Sequence, residues 1–367
     1  MIYFDHNATT PVDERVVEAM LPFLHHFYGN PSSLYRLGRL SRTAIESARE
    51  QVAALVGAAL DQIVFTSGGT EANNLAISQI KNESRVALSA IEHPSVSAPI
   101  MARQQQFKKV LRLKVDTEGR VDSEYLQSLE WGQNDFVSVM LANNETGVIQ
   151  DVNHLVEMLR PKGVVIHSDA VQAFGKTPFS FEQLGVQLLS LSSHKIYGPK
   201  GCGALVVDKD FNLLPMMHGG GQEQGRRGGT ENVAAIVGFG KAAGLALSEL
   251  EVRTEQMLCL RDFLEQQLDA LPGVTVFSRN AERLPNTVQF AIQGIDGEML
   301  QMQLDQKNIA VSSGSACSSG GGEASPVLIA MDVEESLAKG AIRVSLGKGN
   351  TRQEIEQFID ELKKIIG

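Results

Sequence analysis

Cysteine is scarce in this chain of 367 residues: there are three, Cys202, Cys259 and Cys317, an odd number set far apart. They imply no disulfide framework and match no zinc-ligand spacing. Basic residues are also in deficit, 33 Lys and Arg against 43 Asp and Glu, for a formal net charge of −10. Nucleic acid and anionic membrane both reward clustered cations. Here only Arg226 with Arg227 and Lys363 with Lys364 stand adjacent, so neither is expected as the main partner. No apolar run approaches the ~18 residues of a membrane span. The opening residues MIYFDHNATT carry no basic stretch ahead of an apolar one, so no secretory leader is expected and the cytoplasm is the default address. His25 and His26 would point in different directions on a helix, which argues against a metal there. What remains is an ordinary soluble composition, 43% hydrophobic and 21% charged. Its length suggests about two domains and a sizeable core.

Residues 1–12 read as an extended arm. Asp13 then caps a helix whose Val16, Val17, Met20, Leu21 and Leu24 share one face. A turn cluster at 29–33 leads to a second amphipathic helix, with Ile45, Ala48, Val52 and Leu55 inward and Gly57 where a C-terminal cap belongs. Strand-like runs follow at 62–66, 86–89, 110–115, 136–141, 164–167, 188–191 and 204–207, mostly separated by helical or turn-rich stretches. That alternation predicts an α/β fold around a mostly parallel sheet, with working loops at the strand C-termini. A glycine-rich segment at 215–231 precedes a long helix from 234 to about 270, and the domain switch is expected within it near residue 250. Strands at 274–277, 287–291 and 342–345 and a helix near 298–306 come next. A capping box of Thr351 and Glu354 opens the last helix.

Lys195, in LSLSSHKIYGPKGCGAL (189–205), stands just past an apolar strand. Burying an unpaired ammonium is costly. A lysine so placed either turns back to solvent or is a working amine of the Schiff-base type, and this stretch alone leaves both readings open. Asp169, in IHSDAVQ, also follows a strand end; it can cap the next helix or pair with a cation such as a protonated pyridine nitrogen. The 26-residue spacing from Asp169 to Lys195 suits one helix and one strand between them. SGGTEANN (67–74) joins a strand to a helix and offers small residues and free N–H groups to an anion. It is neither a Walker loop nor G-x-G-x-x-G, and an ordinary turn explains it nearly as well.

His93, in EHPS, can cap a helix, hydrogen-bond or stack on a flat ligand. Arg343, in AIRVSLG, needs an anion, either a substrate carboxylate or a structural ion pair. The stretch SSGSACSSGGGE (312–323) sets five serines and four glycines around Cys317 and cannot pack a core, which predicts an exposed, reactive thiol. The stretch holds no Lys, Arg or His, and a thiol of pKa ~8.5 is only a few per cent thiolate at neutral pH, so activation must come from elsewhere. Cys202 and Cys259, in strand-like and helix-like contexts, read as inert.

Taken in order from Tyr3 to Gly347, the stretches FDHNATTPVD, SGGTEANN, EHPSV, NNETGVIQD, HSDAVQ, SSHKIYGPKG, HGGGQEQGRRGGTENV, SSGSACSS and IRVSLG resemble the NifS/IscS-type cysteine desulfurases. These are enzymes of the class V aminotransferase group that use pyridoxal 5'-phosphate (PLP). The resemblance implies the aspartate-aminotransferase-like fold, type I. Residues 13–250 would form a large PLP-binding domain on a mostly parallel seven-stranded sheet. Residues 1–12 and 251–367 would form a smaller α+β domain carrying the cysteine loop.

The resemblance further implies that Lys195 holds PLP covalently, Asp169 pairs with its pyridine nitrogen, Gln172 bonds its phenolate oxygen and His93 stacks on its ring. Gly69, Thr70, Ser192 and His194 would hold the phosphate, with Thr230 reaching it from the neighbouring subunit of a homodimer. Asn144 and Arg343 would bind the substrate carboxylate. Cys317 would take the sulfur, activated by His93 or by the bound substrate. The implied reaction turns L-cysteine into L-alanine with a Cys317 persulfide, passed to a sulfur-acceptor protein of iron–sulfur cluster assembly or of another thio-cofactor or tRNA thiolation pathway. No metal is expected. An aminotransferase or selenocysteine lyase on the same scaffold, or a non-catalytic sulfur-relay protein, stays open at this point.

Overall fold

The structure is a computed structural model that describes residues 1–314 and 323–366, so Cys317 lies outside the described residues. Its strands, in chain order, are β1 (Ile2–Tyr3), β2 (Ile63–Thr66), β3 (Arg85–Ser89), β4 (Lys109–Leu113), β5 (Phe136–Ser138), β6 (Val165–Asp169), β7 (Leu188–Ser192), β8 (Gly203–Val207), β9 (Val274–Val276), β10 (Thr287–Ile292), β11 (Ile309–Ala310), β12 (Ser312–Ser313) and β13 (Ala341–Ser345).

Seven of them form one sheet in the order β2-β8-β7-β6-β5-β3-β4, in which β8 alone runs against its neighbours. Every residue of β2, β7 and β8 is buried, which is why these strands read in the sequence as continuous apolar runs instead of alternating ones. Successive side chains feed separate cores on the two faces. In β2, Ile63 and Phe65 join one core and Val64 the other; in β3, Ala87 joins the first and Val86 and Leu88 the second. Helices cover both faces, the layering expected of a mostly parallel sheet.

A second sheet, β12-β13-β10-β9, is antiparallel throughout, and β1 pairs in parallel with β11. Its core gathers Phe4, Val288, Phe290 and Val344 with Ile355, Phe358, Ile359 and Leu362 of the last helix, Arg352–Ile366. Thr351 and Glu354 open that helix as expected, each backbone N–H donating to the other's side chain. The helix Val233–Asp269 serves both cores, giving Ile236, Phe239 and Ala243 to the first and Leu264 and Leu268 to the second. Its Gly240 lies so close to the helix Arg36–Val56 that an added Cβ would sit 2.4 Å from Ala48 Cα. By length and composition alone this helix could cross a membrane, a match that the criterion of an unbroken apolar run misses because Lys241 interrupts it. Half of the apolar window is buried inside the protein.

Two expectations need correction. The helix Glu14–His25 is capped by Asp13 as predicted, yet of its apolar stripe only Val16 is buried; Val17, Leu21 and Leu24 are 42, 42 and 61% exposed. The sequence pattern shows that a stripe exists, not what covers it. The predicted strand 136–141 ends at Ser138, beyond which Met140 N–H turns aside to the Glu92 carboxylate at 2.7 Å.

Candidate active site

The strand ends assemble the site. β6 and β7 are parallel neighbours, so Asp169 at the end of one and the turn Ser193–Lys195 after the other emerge side by side. The helix Gly69–Ser78, which follows β2, points its N-terminus at the same place. Together with the N-terminal arm and β13 they enclose a cavity of about 450 Å³. Ten predicted residues line it: Gly69, Thr70, His93, Asn144, Asp169, Gln172, Ser192, His194, Lys195 and Arg343. Thr230 is exposed on the 215–231 segment and is not on that wall. Ser312, on the way into the stretch that holds Cys317, is on it.

Lys195 reaches into the arm, its Nζ donating to the carbonyl oxygens of Ala8, at 2.8 Å, and Asn7. Asp169 takes the capping role that the sequence allows and keeps its second oxygen at the cavity. Its Oδ1 accepts from Val171 N–H at 2.9 Å, capping the next turn, while Oδ2 accepts from Asn73 Nδ2 at 2.7 Å in the cavity wall. From Asn73 a chain of polar contacts runs to Ser95 Oγ, at 2.8 Å, and on to His93 Nδ1, at 2.7 Å. His93 also caps the helix Pro94–Ala102 by accepting Ser95 N–H on Nδ1 at 3.1 Å. A ring nitrogen that accepts bears no proton, so the neutral ring carries its hydrogen on Nε2. Burial, aided by the charge of Lys195 against that of Asp169, lowers the His93 pKa and favours this neutral form.

Arg343 makes the structural ion pair that is one of its two readings. Nη2 pairs with Asp5 at 2.7 Å and Nη1 donates to the Asn144 carbonyl at 3.1 Å, while the buried Nε has no hydrogen-bond partner among the described residues. A buried donor without an acceptor needs an explanation, and an incoming anion would supply one. Next to His93, the buried Glu92 carboxyl is pushed up to about 7, chiefly by burial. His194 is pushed down to about 4, chiefly by burial and by the charge of Lys195.

The sequence reading missed Asp5, Asn7, Asn73, Ser95 and Lys176. Asn7 is a hub: its side chain donates to Thr287 Oγ1 at 2.9 Å and to the Asn144 carbonyl at 3.1 Å, and accepts from Lys176 Nζ at 2.8 Å. The available signal was a run of polar residues, DHN, inside an arm that ought only to bridge elements. Asn73 stands within the quoted SGGTEANN, one helical turn past Thr70.

These groups suit a flat, phosphorylated pyridine aldehyde. The lysine supplies an amine and the aspartate an anion for a ring nitrogen. The helix N-terminus at Gly69 and Thr70 supplies donors for a phosphate, and Ser192 and His194 stand beside it. An added Cβ at Gly69 would lie 3.0 Å from Val171 Cγ2 and 3.4 Å from Ser192 Cβ, so glycine keeps this cradle open. Fold and cavity together define a PLP enzyme of fold type I.

Known proteins narrow the class. The profile of the family described as aminotransferase class-V matches residues 2–358. Cysteine desulfurase IscS of Dictyoglomus turgidum is 41% identical over 371 residues, covering 100% of this chain and 94% of its own. A cysteine desulfurase of Nostoc sp. is also 41% identical, over 100% of this chain and 93% of its own. Among solved structures, a NifS-like protein from Rickettsia africae superposes with a TM-score of 0.90 at 37% identity, covering 100% of this chain and 99% of that one. The chain belongs to the class-V aminotransferase family and is a PLP-dependent cysteine desulfurase.

Proposed function

We propose that Lys195, Asp169, Arg343 and Cys317 divide the desulfurase reaction among them, and that the persulfide formed on Cys317 passes to a sulfur-acceptor protein. The observation that carries this reading is the convergence of the first three on one cavity whose wall includes Ser312, the last stretch of described chain before the cysteine. PLP, when bound, supplies an electron sink for the amino acid joined to it. Lys195 holds the group through its amine and, when displaced, is the base at hand for the substrate Cα proton. Asp169 keeps the pyridine nitrogen protonated, Gln172 donates to the ring oxygen, and His93 covers the ring. Gly69, Thr70, Ser192 and His194 hold the phosphate. Arg343, with Asn144, takes the substrate carboxylate.

The Cys317 thiolate attacks the substrate sulfur, so that an S–S bond forms as the Cβ–S bond breaks. The electron pair left on carbon is protonated. L-Cysteine and the enzyme thiol thus become L-alanine and the enzyme persulfide without an external oxidant.

Thr230 completes the phosphate site from the neighbouring subunit of a homodimer in this reading. A thiol that must stay reduced fits a cytoplasmic address. The division into two domains falls inside the helix Val233–Asp269 near residue 250, with the arm joined to the second domain. Phe4 in the second core and the β1–β11 pairing support that assignment.

Cys317→Ser tests the assignment of the nucleophile. The variant is expected to keep the yellow colour of bound cofactor and to lose alanine and sulfide production from L-cysteine by at least 100-fold, the lower range for removing a catalytic group. Full turnover by the serine variant sinks the proposal.

A further inference from the structure

Lys176 is a fully buried lysine that the desulfurase chemistry leaves unassigned. It lies behind the cavity wall, with Gln172 and Asn7 between it and the cavity. Its Nζ donates to Gln172 Oε1 at 2.8 Å and to Asn7 Oδ1 at 2.8 Å. An amine donates in either protonation state, and two N–H bonds suffice for these two acceptors. Burial, together with the cationic neighbours Lys195 and Arg343, lowers its pKa and favours the neutral form; His6 is the other titratable side chain coupled to it.

An amide has a donor end and an acceptor end, and which end points where follows from its partners. Because Lys176 occupies Oε1, Gln172 must present Nε2 to the cavity side, where it donates to the Asn7 carbonyl at 2.9 Å. Lys195 Nζ donates to that same carbonyl. The donor end of Gln172 is therefore fixed beside the working lysine. Lys176 treats Asn7 in the same way. With Oδ1 held by Lys176 and by Asn286 Nδ2, at 3.1 Å, the Asn7 amide nitrogen is left for Thr287 and Asn144.

We propose that Lys176 is a positioning residue that fixes the side-chain amides of Gln172 and Asn7 so that Gln172 turns its N–H donor, and never its carbonyl, toward the cofactor. This rests on the reading that Gln172 donates to the ring oxygen of PLP. Gln172 and Lys176 are four residues apart, and the intervening turn keeps the helical Phe174 N–H to Ala170 carbonyl bond at 2.9 Å, which places the two side chains on one side. A glutamine and a lysine four residues apart in the otherwise apolar and small run AVQAFGK are the sequence trace of this arrangement.

The test is the pH midpoint of the visible absorption band of the bound cofactor, a readout independent of turnover, together with the affinity of the apoprotein for PLP. A donor facing the ring oxygen draws charge from it and keeps the neighbouring lysine-linked nitrogen less basic. Lys176→Met frees the Gln172 amide to turn its carbonyl inward, and the midpoint is expected to rise by about one unit or more, the scale of a hydrogen bond to a charged group. In a Gln172→Met background the same substitution is expected to add little, because its route of action is gone. Lys176→Gln retains a donor nitrogen on a shorter side chain; a smaller rise in the same direction is expected, and it carries the test if Lys176→Met does not fold. A midpoint unchanged by either lysine variant, while Gln172→Met moves it, overturns the proposal and leaves the role of Gln172 standing. An equal shift in both backgrounds also overturns it, since Lys176 would then act by its charge. No shift from Gln172→Met overturns the reading of Gln172 and this inference with it.

Discussion

Arg343 has a guanidinium whose three nitrogens face three different circumstances: an aspartate, a backbone carbonyl and, at Nε, no hydrogen-bond acceptor among the described residues. Arg343→Lys keeps a positive charge near Asp5 but replaces a planar fork by a single ammonium. If the fork receives the substrate carboxylate, its loss removes at least one charge-assisted hydrogen bond of about 1.5–3 kcal/mol. That is about a tenfold to hundredfold rise in KM for L-cysteine, with the absorption spectrum of the bound cofactor unchanged. Steady-state kinetics on the variant check it, and an unchanged KM would return Arg343 to a purely structural pairing with Asp5. At this scale the sequence was legible wherever burial makes a residue type expensive. Lys195, Asp169 and Arg343 stood out because charged groups at the ends of apolar strands, or within a buried one, need a reason. Asn7 and Lys176 did not stand out. Asn7 meets partners 137 and 280 residues away, and no local pattern announces them.

The elements were legible where burial is uniform or periodic and obscure where they are short. All seven strands of the large sheet were found, because each contains an apolar stretch, though β4 also carries Lys109 and Arg112 and β6 carries His167, Ser168 and Asp169. β11 and β12, two residues each, leave no periodicity to detect. One polar feature inside the sheet has measurable consequences. His167 of β6 is fully buried, with Nδ1 2.9 Å from Ser138 Oγ on β5 and Nε2 3.0 Å from Ser190 Oγ on β7. Burial pushes its pKa down to about 3 from 6.5. Below about pH 6.5 the unfolded chain takes up a proton that the folded one refuses, so the stability that this histidine contributes is complete above 6.5 and falls as the pH drops toward 3. The slope is about 1.4 kcal/mol per pH unit. His6 and His194, both pushed down to about 4, act in the same direction. His167→Asn is therefore expected to flatten the fall of stability with acid by about 1.4 kcal/mol per pH unit, read from urea unfolding midpoints between about pH 6.5 and 4.5. Equal slopes in the two proteins would mean that His167 is not held neutral in the fold.

At the scale of the whole molecule, the exposed stripe Val17, Leu21 and Leu24 on the helix Glu14–His25 and the exposed Thr230 raise one question. The three apolar residues recur at helical spacing, and nearby in the chain Tyr28, Leu34 and Tyr35 are exposed as well, at 77, 82 and 56%. Exposed apolar side chains grouped on one helix face suit an interaction surface. If the proposed homodimer forms through this face, Thr230 would complete the phosphate site of the neighbouring subunit. On the proposed reading, a residue that its own cavity does not use would make cofactor retention depend on assembly. A double substitution, Leu21→Glu with Leu24→Glu, puts two like charges into the face and is expected to convert a dimer into a monomer by sedimentation velocity at micromolar concentration. Far-ultraviolet circular dichroism should stay unchanged, since neither side chain belongs to a core. The monomer should then release PLP at least as readily as Thr230→Ala does in the dimer. A charge-assisted hydrogen bond to phosphate is worth about 1.5–3 kcal/mol, so PLP affinity should fall about tenfold or more in both variants. A monomer that binds PLP as tightly as the unmodified protein would show that each subunit completes its own site and that Thr230 has no part in it.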